Sequence, residues 1–304
     1  MKRAMAFIEA SGISKSFAAP RHARPAPSSS KGAAHGGVRP ILREVSLSVA
    51  LGEFVSIVGA MGSGKSTLLS ILAGLTAADS GSVTVGGEVV RGVRRDAAFV
   101  FQNYSLLPWF TALENVRLAV GAAFPDLERD AQVARASRAL EQVGLGNALN
   151  RRPRQQSGGM RQRVAIARAF ATDPEVLFLD EPFGALDALT RETLQQDLVR
   201  LCSSAARPVT VVMITNSVEE ALLLSDWIVP MVPGPPATLG APIRVQLSRP
   251  RSLVQLAHEE DATHVRAHVI AALTDAIGGR ARRTALKSGA NAATAIALAT
   301  EESR

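Results

Sequence analysis

The chain has 304 residues, of which 47% are hydrophobic and 20% charged, the balance of a globular protein with room for one large α/β domain or two modest ones. A single cysteine, Cys202, excludes an intrachain disulfide and points to a reducing compartment, and no apolar run is long enough to span a bilayer. The formal net charge of +7 sits wholly in two segments, +4 in residues 18–40 and +3 in residues 276–304, so a folded nucleic-acid-binding face is not expected.

Met1-Lys2-Arg3-Ala4-Met5 lacks the apolar stretch of a signal peptide, and the expectation is a soluble cytoplasmic chain. Phe7-Ile8-Glu9-Ala10 and residues 41–49 read as strands, the second alternating at Val45, Leu47 and Val49. Residues 18–40 between them, rich in Pro, Ala, Ser and Gly and carrying Arg21, Arg24, Lys31 and Arg39, read as a disordered basic insertion in a hairpin loop. Such segments admit anionic lipid as a partner, but the simpler reading is a solvated tail.

Phe54-Val55-Ser56-Ile57-Val58 is an apolar run of strand length. It leads into Gly59, Ala60, Met61, Gly62, Ser63, Gly64, Lys65, Ser66 and Thr67, and then into the helical Leu68-Leu69-Ser70-Ile71-Leu72. A Gly-rich turn ending in Lys-Ser is a weak signal alone. With a strand before it and a helix after it, the turn is a P-loop for nucleoside triphosphates. The glycines let several backbone N–H groups face one anion, and the new helix turns its positive dipole end towards the phosphates. Lys65 reaches the β/γ oxygens, and Ser66 offers a hydroxyl to Mg²⁺.

Residues 81–87 read as a turn-bounded strand, and residues 97–101 as another that ends at Gln102. The pattern then turns helical. Thr111-Ala112-Leu113-Glu114 is a capping box, residues 126–143 have helical spacing, and Ser157 caps a helix running to Ala171, so that a helical insert of roughly residues 105–170 lies between strands. Residues 175–180 return to buried strand. Helix 188–204, strand 209–214, a short helix opened by Ser217 and strand 227–232 follow. Alternating strands and helices imply a parallel sheet covered on both faces. Beyond Pro250 one amphipathic helix is expected at residues 260–277, within an extension (251–304) whose end is expected to be disordered.

Val176-Leu177-Phe178-Leu179-Asp180-Glu181 is a strand ending in two acids, delivered where parallel sheets bind ligands. Asp180 suits Mg²⁺, and Glu181 suits a general base for an attacking water. Ser157-Gly158-Gly159 opens a helix with free N–H groups and a hydroxyl, a second anion site.

The order of these parts resembles the nucleotide-binding subunit of ATP-binding cassette (ABC) transporters. Residues 59–67, Gln102, Ser157-Gly158-Gly159, residues 176–181, Ala185-Leu186-Asp187 and the position of Asn216 carry the resemblance, which covers about residues 5–245. Residues 100–109 and Ser157-Gly158-Gly159-Met160-Arg161-Gln162-Arg163 resemble the nitrate/sulfonate/taurine importer subgroup. The resemblance implies a P-loop NTPase (RecA-like) parallel-sheet core with an antiparallel β subdomain and an inserted helical subdomain. It implies ATP and Mg²⁺, with Ser66, Gln102 and Asp180 towards the metal and Glu181, Gln102 and Asn216 towards hydrolysis. Phe17 falls where the family stacks an aromatic on adenine, Asp187 at the subunit interface, and residues 157–159 against the γ-phosphate held by a second cassette. It further implies transmembrane permease subunits, a homo- or heterodimer of cassettes at the cytoplasmic face of the cell membrane, and, indirectly, an external solute-binding protein.

Three departures stand out. Asn216 replaces the family's usual histidine, a donor that cannot carry charge. Gln156 replaces Leu, and Met160 stands where many members have Gln. Two other readings are weighed. A soluble ABC ATPase acting in DNA repair, chromosome organisation or translation needs a long coiled-coil insertion or a second cassette, and neither is present in the sequence. A degenerate regulatory cassette is favoured by Asn216 and opposed by Glu181.

Overall fold

The computed structural model describes residues 6–18, 38–205, 207–234 and 236–287, with side chains through residue 274. Strands β1 (Ala6–Ala18) and β2 (Val38–Ala50) form a long hairpin. β3 (Phe54–Val58) leads into helix α1 (Lys65–Leu72), followed by β4 (Ser80–Val85), β5 (Glu88–Val89) and β6 (Ala97–Val100). Helices α2 (Ala112–Ala123), α3 (Arg129–Gln142) and α4 (Gly158–Phe170) fill the interval before β7 (Val176–Asp180). Then come α5 (Ala188–Ser204), β8 (Thr210–Thr215), α6 (Val218–Leu224), β9 (Trp227–Val232), β10 (Thr238–Leu239), β11 (Ile243–Arg244), α7 (Leu253–His258) and α8 (Glu260–Lys287).

Among the described residues two sheets form: an antiparallel one in the order β2-β1-β4-β5, and a larger one in the order β10-β9-β3-β8-β7-β6, with β11 also on β9. Strands β9, β3, β8, β7 and β6 are parallel. Helix α1 lies between the sheets. Leu68, Leu69, Ile71 and Leu72 pack with Ile8, Ile13 and Val45 of the hairpin and with Ile57, Phe178 and Ile214 of the parallel sheet. Eight residues are too few for a helix that stands alone. Burying four aliphatic side chains at roughly 1.5–3 kcal/mol each fixes this one. The opposite sheet face, with Phe54, Leu177, Leu179, Val211 and Met213, packs against α2 to α6 and the C-terminal helices. Alternate residues of each strand serve the two faces, which is why the strands read as continuous apolar runs.

Three differences from the sequence reading concern the ends of elements. The first strand runs to Ala18 rather than Ala10, and Ala18, Phe17 and Ser16 pair with Val38, Arg39 and Pro40. Backbone pairing therefore extends into what was read as the edge of the insertion; residues 19–37 lie outside the described residues. Helix α8 continues to Lys287, past the expected stop at residue 277, and residues 288–304 also lie outside the described residues. The helix through residues 126–143 begins at Arg129, with Glu128 as its N-cap.

Candidate active site

The register of the parallel sheet brings strand ends level. Val58 pairs with Thr215, and Asp180 with Ile214. The turns beyond are tied by Gly59 N–H donating to Thr215 O at 3.4 Å and Glu181 N–H donating to Ile214 O at 3.0 Å. Sequence thus delivers the glycine-rich turn, the acid pair and Asn216 to one end of the sheet. Val100 of β6 pairs with Leu179, which brings Gln102 to the same end.

Gly64, at φ 98°, begins α1 in the left-handed region, and a Cβ on it would stand 3.0 Å from Ile41 Cγ2. Only glycine fits that bend at little cost. Lys65 is buried at the start of α1. Its Nζ donates to Gly59 O at 2.9 Å and Ala60 O at 3.0 Å and lies 3.5 Å from Glu181 Oε1. Ser66 Oγ donates to Asp180 Oδ1 at 3.1 Å, and Gln102 Nε2 donates to Glu181 Oε2 at 3.3 Å. Burial pushes the Asp180 carboxyl above the usual carboxylate range; the Ser66 hydrogen bond opposes the rise and the charge of Glu181 adds to it. Glu181 is held at φ 44°, an unusual conformation for a side-chain-bearing residue that costs about 1–3 kcal/mol.

Two observations test the fit to a triphosphate and a cation. Ser63 Oγ in the turn is buried with no hydrogen-bond partner, an orphan that a phosphate oxygen would satisfy. Ser66, Asp180 and Gln102 offer hydroxyl, carboxylate and amide oxygens, the hard donors that Mg²⁺ takes alongside phosphates. A cation beside Asp180 would also relieve the repulsion from Glu181.

Asn216 is exposed beyond β8. Its turn is closed by Ser217 N–H donating to Thr215 Oγ1 at 3.0 Å. Ser157 caps α4, accepting from Met160 N–H at 3.2 Å; this uses a lone pair and leaves the hydroxyl proton free. Gly159 packs closely on Thr190 of α5, whose N–H donates to the cap residue Asp187 at 3.0 Å. Phe17 is 45% exposed at the end of β1, with the Lys15 ammonium 5.4 Å from its ring centroid, so it is not a core residue. Two hydrogen bonds, Ser66 to Asp180 and Gln102 to Glu181, and the Lys65–Glu181 ion pair gather these five residues into one cluster, and none of the hydrogen bonds among the described residues brings Phe17, Asp187 or residues 157–159 into it. Gln156 is buried: its Nε2 donates to Arg151 O at 3.0 Å, anchoring the loop before α4.

Comparison with known proteins identifies the family. A family model described as "ABC transporter" matches residues 42–184. The nitrate import ATP-binding protein NrtD of Synechococcus elongatus is 50% identical over 210 residues, 69% of this chain and 76% of that protein. The chain belongs to the ABC transporter family. The bicarbonate transport ATP-binding protein CmpC of the same species is 44% identical over 229 residues; the matched region is 75% of this chain but 34% of that longer protein. Among solved structures, the ATP-binding cassette MJ0796, a dimer bound to ADP and Pi, superposes with a TM-score of 0.67 at 29% identity, covering 79% of this chain and all of that one (100%). Among the described residues of this cassette, no helix is long and apolar enough to cross a membrane.

Sequence reasoning missed several supporting groups of the cassette. Lys65 meets Glu181 directly. Thr215 Oγ1 donates to the buried Glu220 at 2.6 Å, and Arg191 donates to Leu186 O and Phe183 O. Glu220 was legible only as an acid in a first helical turn. Arg191 stands one turn after Asp187, a spacing that placed it near the loop without naming its partners.

Proposed function

We propose that this chain is the ATP-binding and ATP-hydrolysing subunit of an importer for a small inorganic oxyanion of the nitrate or bicarbonate kind, acting on separate membrane permease subunits from the cytoplasmic face. The observation that carries the reading is the cluster of Lys65, Ser66, Gln102, Asp180 and Glu181, tied by two hydrogen bonds and one ion pair, at the level ends of the parallel strands. The kinship with NrtD and CmpC supports the cargo class.

Lys65, now bound to loop carbonyls, exchanges them for phosphate oxygens when ATP enters, and Ser63 gains the partner it lacks. Phe17 offers a ring face to adenine. Ser66, Asp180 and Gln102 would hold Mg²⁺, which when bound neutralises charge on the phosphates. Glu181, released by Lys65, accepts a proton from the attacking water, while Gln102 orients its carboxylate. Asn216 donates a neutral hydrogen bond to the γ-phosphate. Residues 157–159 of one cassette close on the nucleotide of another, with Asp187 at the interface. ATP thus joins two cassettes, and hydrolysis releases them.

Glu181→Gln tests the reading. ATP hydrolysis should fall about 100-fold or more while ATP binding and ATP-driven dimerisation persist. Turnover within tenfold of wild type would remove Glu181 from the role of base. Uptake in membranes holding the native permease, scored against nitrate, bicarbonate and an alkyl sulfonate, tests the cargo.

A further inference from the structure

Glu220 is a buried carboxylate, and nothing in the hydrolytic scheme above uses it. Its side chain is 8% exposed, and burial pushes its carboxyl above the usual range. Helix capping does not account for it. Ser217 caps α6, accepting from the Glu220 N–H, and the neighbouring Glu219 turns outward to Arg266 of α8. The Glu220 carboxylate instead faces two groups. Thr215 Oγ1 donates to its Oε2 at 2.6 Å, and Arg191 Nε lies 3.8 Å from its Oε1.

Each of those groups holds a loop of the ATP site. Thr215 Oγ1 accepts from Ser217 N–H, closing the turn that presents Asn216. Arg191, from the first turn of α5, donates through Nη2 to Leu186 O at 2.9 Å and through Nε to Phe183 O at 3.3 Å. The chain of contacts therefore runs from the Asn216 turn through Thr215, Glu220 and Arg191 to the segment between Glu181 and Asp187. Among the described residues, the backbone ties the ends of the two strands beside these loops through Glu181 N–H donating to Ile214 O.

We propose that Glu220 and Arg191 are positioning residues that lock the Asn216 turn to the segment from Glu181 to Asp187, so that the phosphate-sensing donor, the base and the interface aspartate keep one mutual geometry. The proposal rests on the ATP-site reading above. Its logic fits this chain in particular. A neutral asparagine gains less from a phosphate than a cation would, so its contribution depends more on being held in place. Carboxylate and guanidinium are both needed. The carboxylate accepts the Thr215 hydrogen bond and faces the arginine charge together, and the planar fork spans two carbonyls and the acid, which an ammonium cannot do.

The test uses the full chain, with steady-state ATP hydrolysis and thermal unfolding followed in parallel. Glu220→Gln keeps an acceptor for Thr215 and loses the attraction to Arg191. The expected result is a kcat lowered about five- to tenfold with KM for ATP changed less than about twofold, and no fall in Tm. Arg191→Lys should do the same. The double variant should be no slower than the worse single one, because the two residues act as a unit. An unchanged kcat, losses that multiply in the double variant, or a kcat loss that tracks a lower Tm would overturn the proposal. Should Glu220→Gln fail to fold, Arg191→Lys decides by the same kcat, KM and Tm criteria. Glu181→Gln is run alongside. If it hydrolyses ATP like wild type, the ATP-site reading fails, whereas a dead Glu181→Gln with undiminished Glu220→Gln and Arg191→Lys condemns the lock alone.

Discussion

Gly159 offers a way to separate packing from phosphate binding at the start of α4. A methyl group on it would stand 2.5 Å from Thr190 Cγ2, whereas carbon atoms pack best at about 3.5–4.0 Å. The clash therefore has to open by about 1 Å. Relieving the clash means switching Thr190 to another of its few χ1 rotamers or shifting the helix start that Asp187 caps, and either costs energy. Overpacking of this kind costs about 1–3 kcal/mol, while replacing a helical glycine with alanine returns about 0.5–1 kcal/mol. Gly159→Ala should thus lose about 1–2 kcal/mol of stability in denaturant titration. Adding Thr190→Ser removes Cγ2 and should restore stability to within about 0.5 kcal/mol of wild type or above it. ATP-driven dimerisation is then measured by light scattering in the Glu181→Gln background. If residues 157–159 also seat a phosphate, the repaired variant folds and still fails to dimerise, because the added methyl keeps the anion from the backbone N–H groups. A Gly159→Ala protein as stable as wild type would refute the packing argument, and a repaired variant that dimerises normally would refute the phosphate seat.

Asn216→His should raise ATP turnover, since a charged donor is worth about twice a neutral one; no change, alone or on the membrane complex, would refute the role given to Asn216. Partial burial against the core pushes the Cys202 thiol up to about 12, so iodoacetamide at pH 8 should modify the native chain much more slowly than the denatured one. Rapid native alkylation would contradict that burial. Arg266 donates twice to Glu219, at 2.7 and 3.1 Å, and once to Leu256 O, but Glu219 is 47% exposed and solvent screens the pair. Arg266→Ala should therefore cost no more than about 1 kcal/mol, less in high salt, and a loss of 3 kcal/mol or more would mean that α8 is anchored mainly through this residue.

The parts legible in the sequence are those written in neighbouring residues. The glycine-rich turn declared itself because a buried strand and a helix flank it, and the caps at Thr111 and Ser157 because each places an acceptor side chain at the helix start. Asp180 and Glu181 declared themselves by ending an apolar run. What stayed hidden depends on pairing across distance. The hairpin reaches Phe17 through register with Arg39, and no local pattern in residues 11–17 announces that extension. The left-handed backbone at Glu181 leaves no mark except Pro182, which disfavours the right-handed helical alternative before it. Glu220 and Arg191 belong to helices more than one element apart, so only the packed sheet reveals that they meet. Gln156, read as an oddity, serves as a loop anchor through a contact with Arg151 that composition could not foretell.

The separation of the P-loop from residues 157–159 bears on how such a chain would work. The glycines of the P-loop have Met231, Ile41 and Leu42 as close neighbours, whereas Gly158 and Gly159 have Tyr104, Leu186 and Thr190. The hydrogen bonds of the two segments share no residue either: Lys65 and Ser66 engage loop carbonyls and the acid pair, while Ser157 engages only its own helix. If residues 157–159 seat a phosphate as proposed, a second chain has to bring its own copy of them to the terminal group of a nucleotide held at the P-loop. On that proposal the Ser157 hydroxyl and the exposed Asp187 would meet a phosphate and a surface of the second chain. On the same proposal, a site completed only across an interface would turn nucleotide occupancy into association, a motion that membrane subunits could follow.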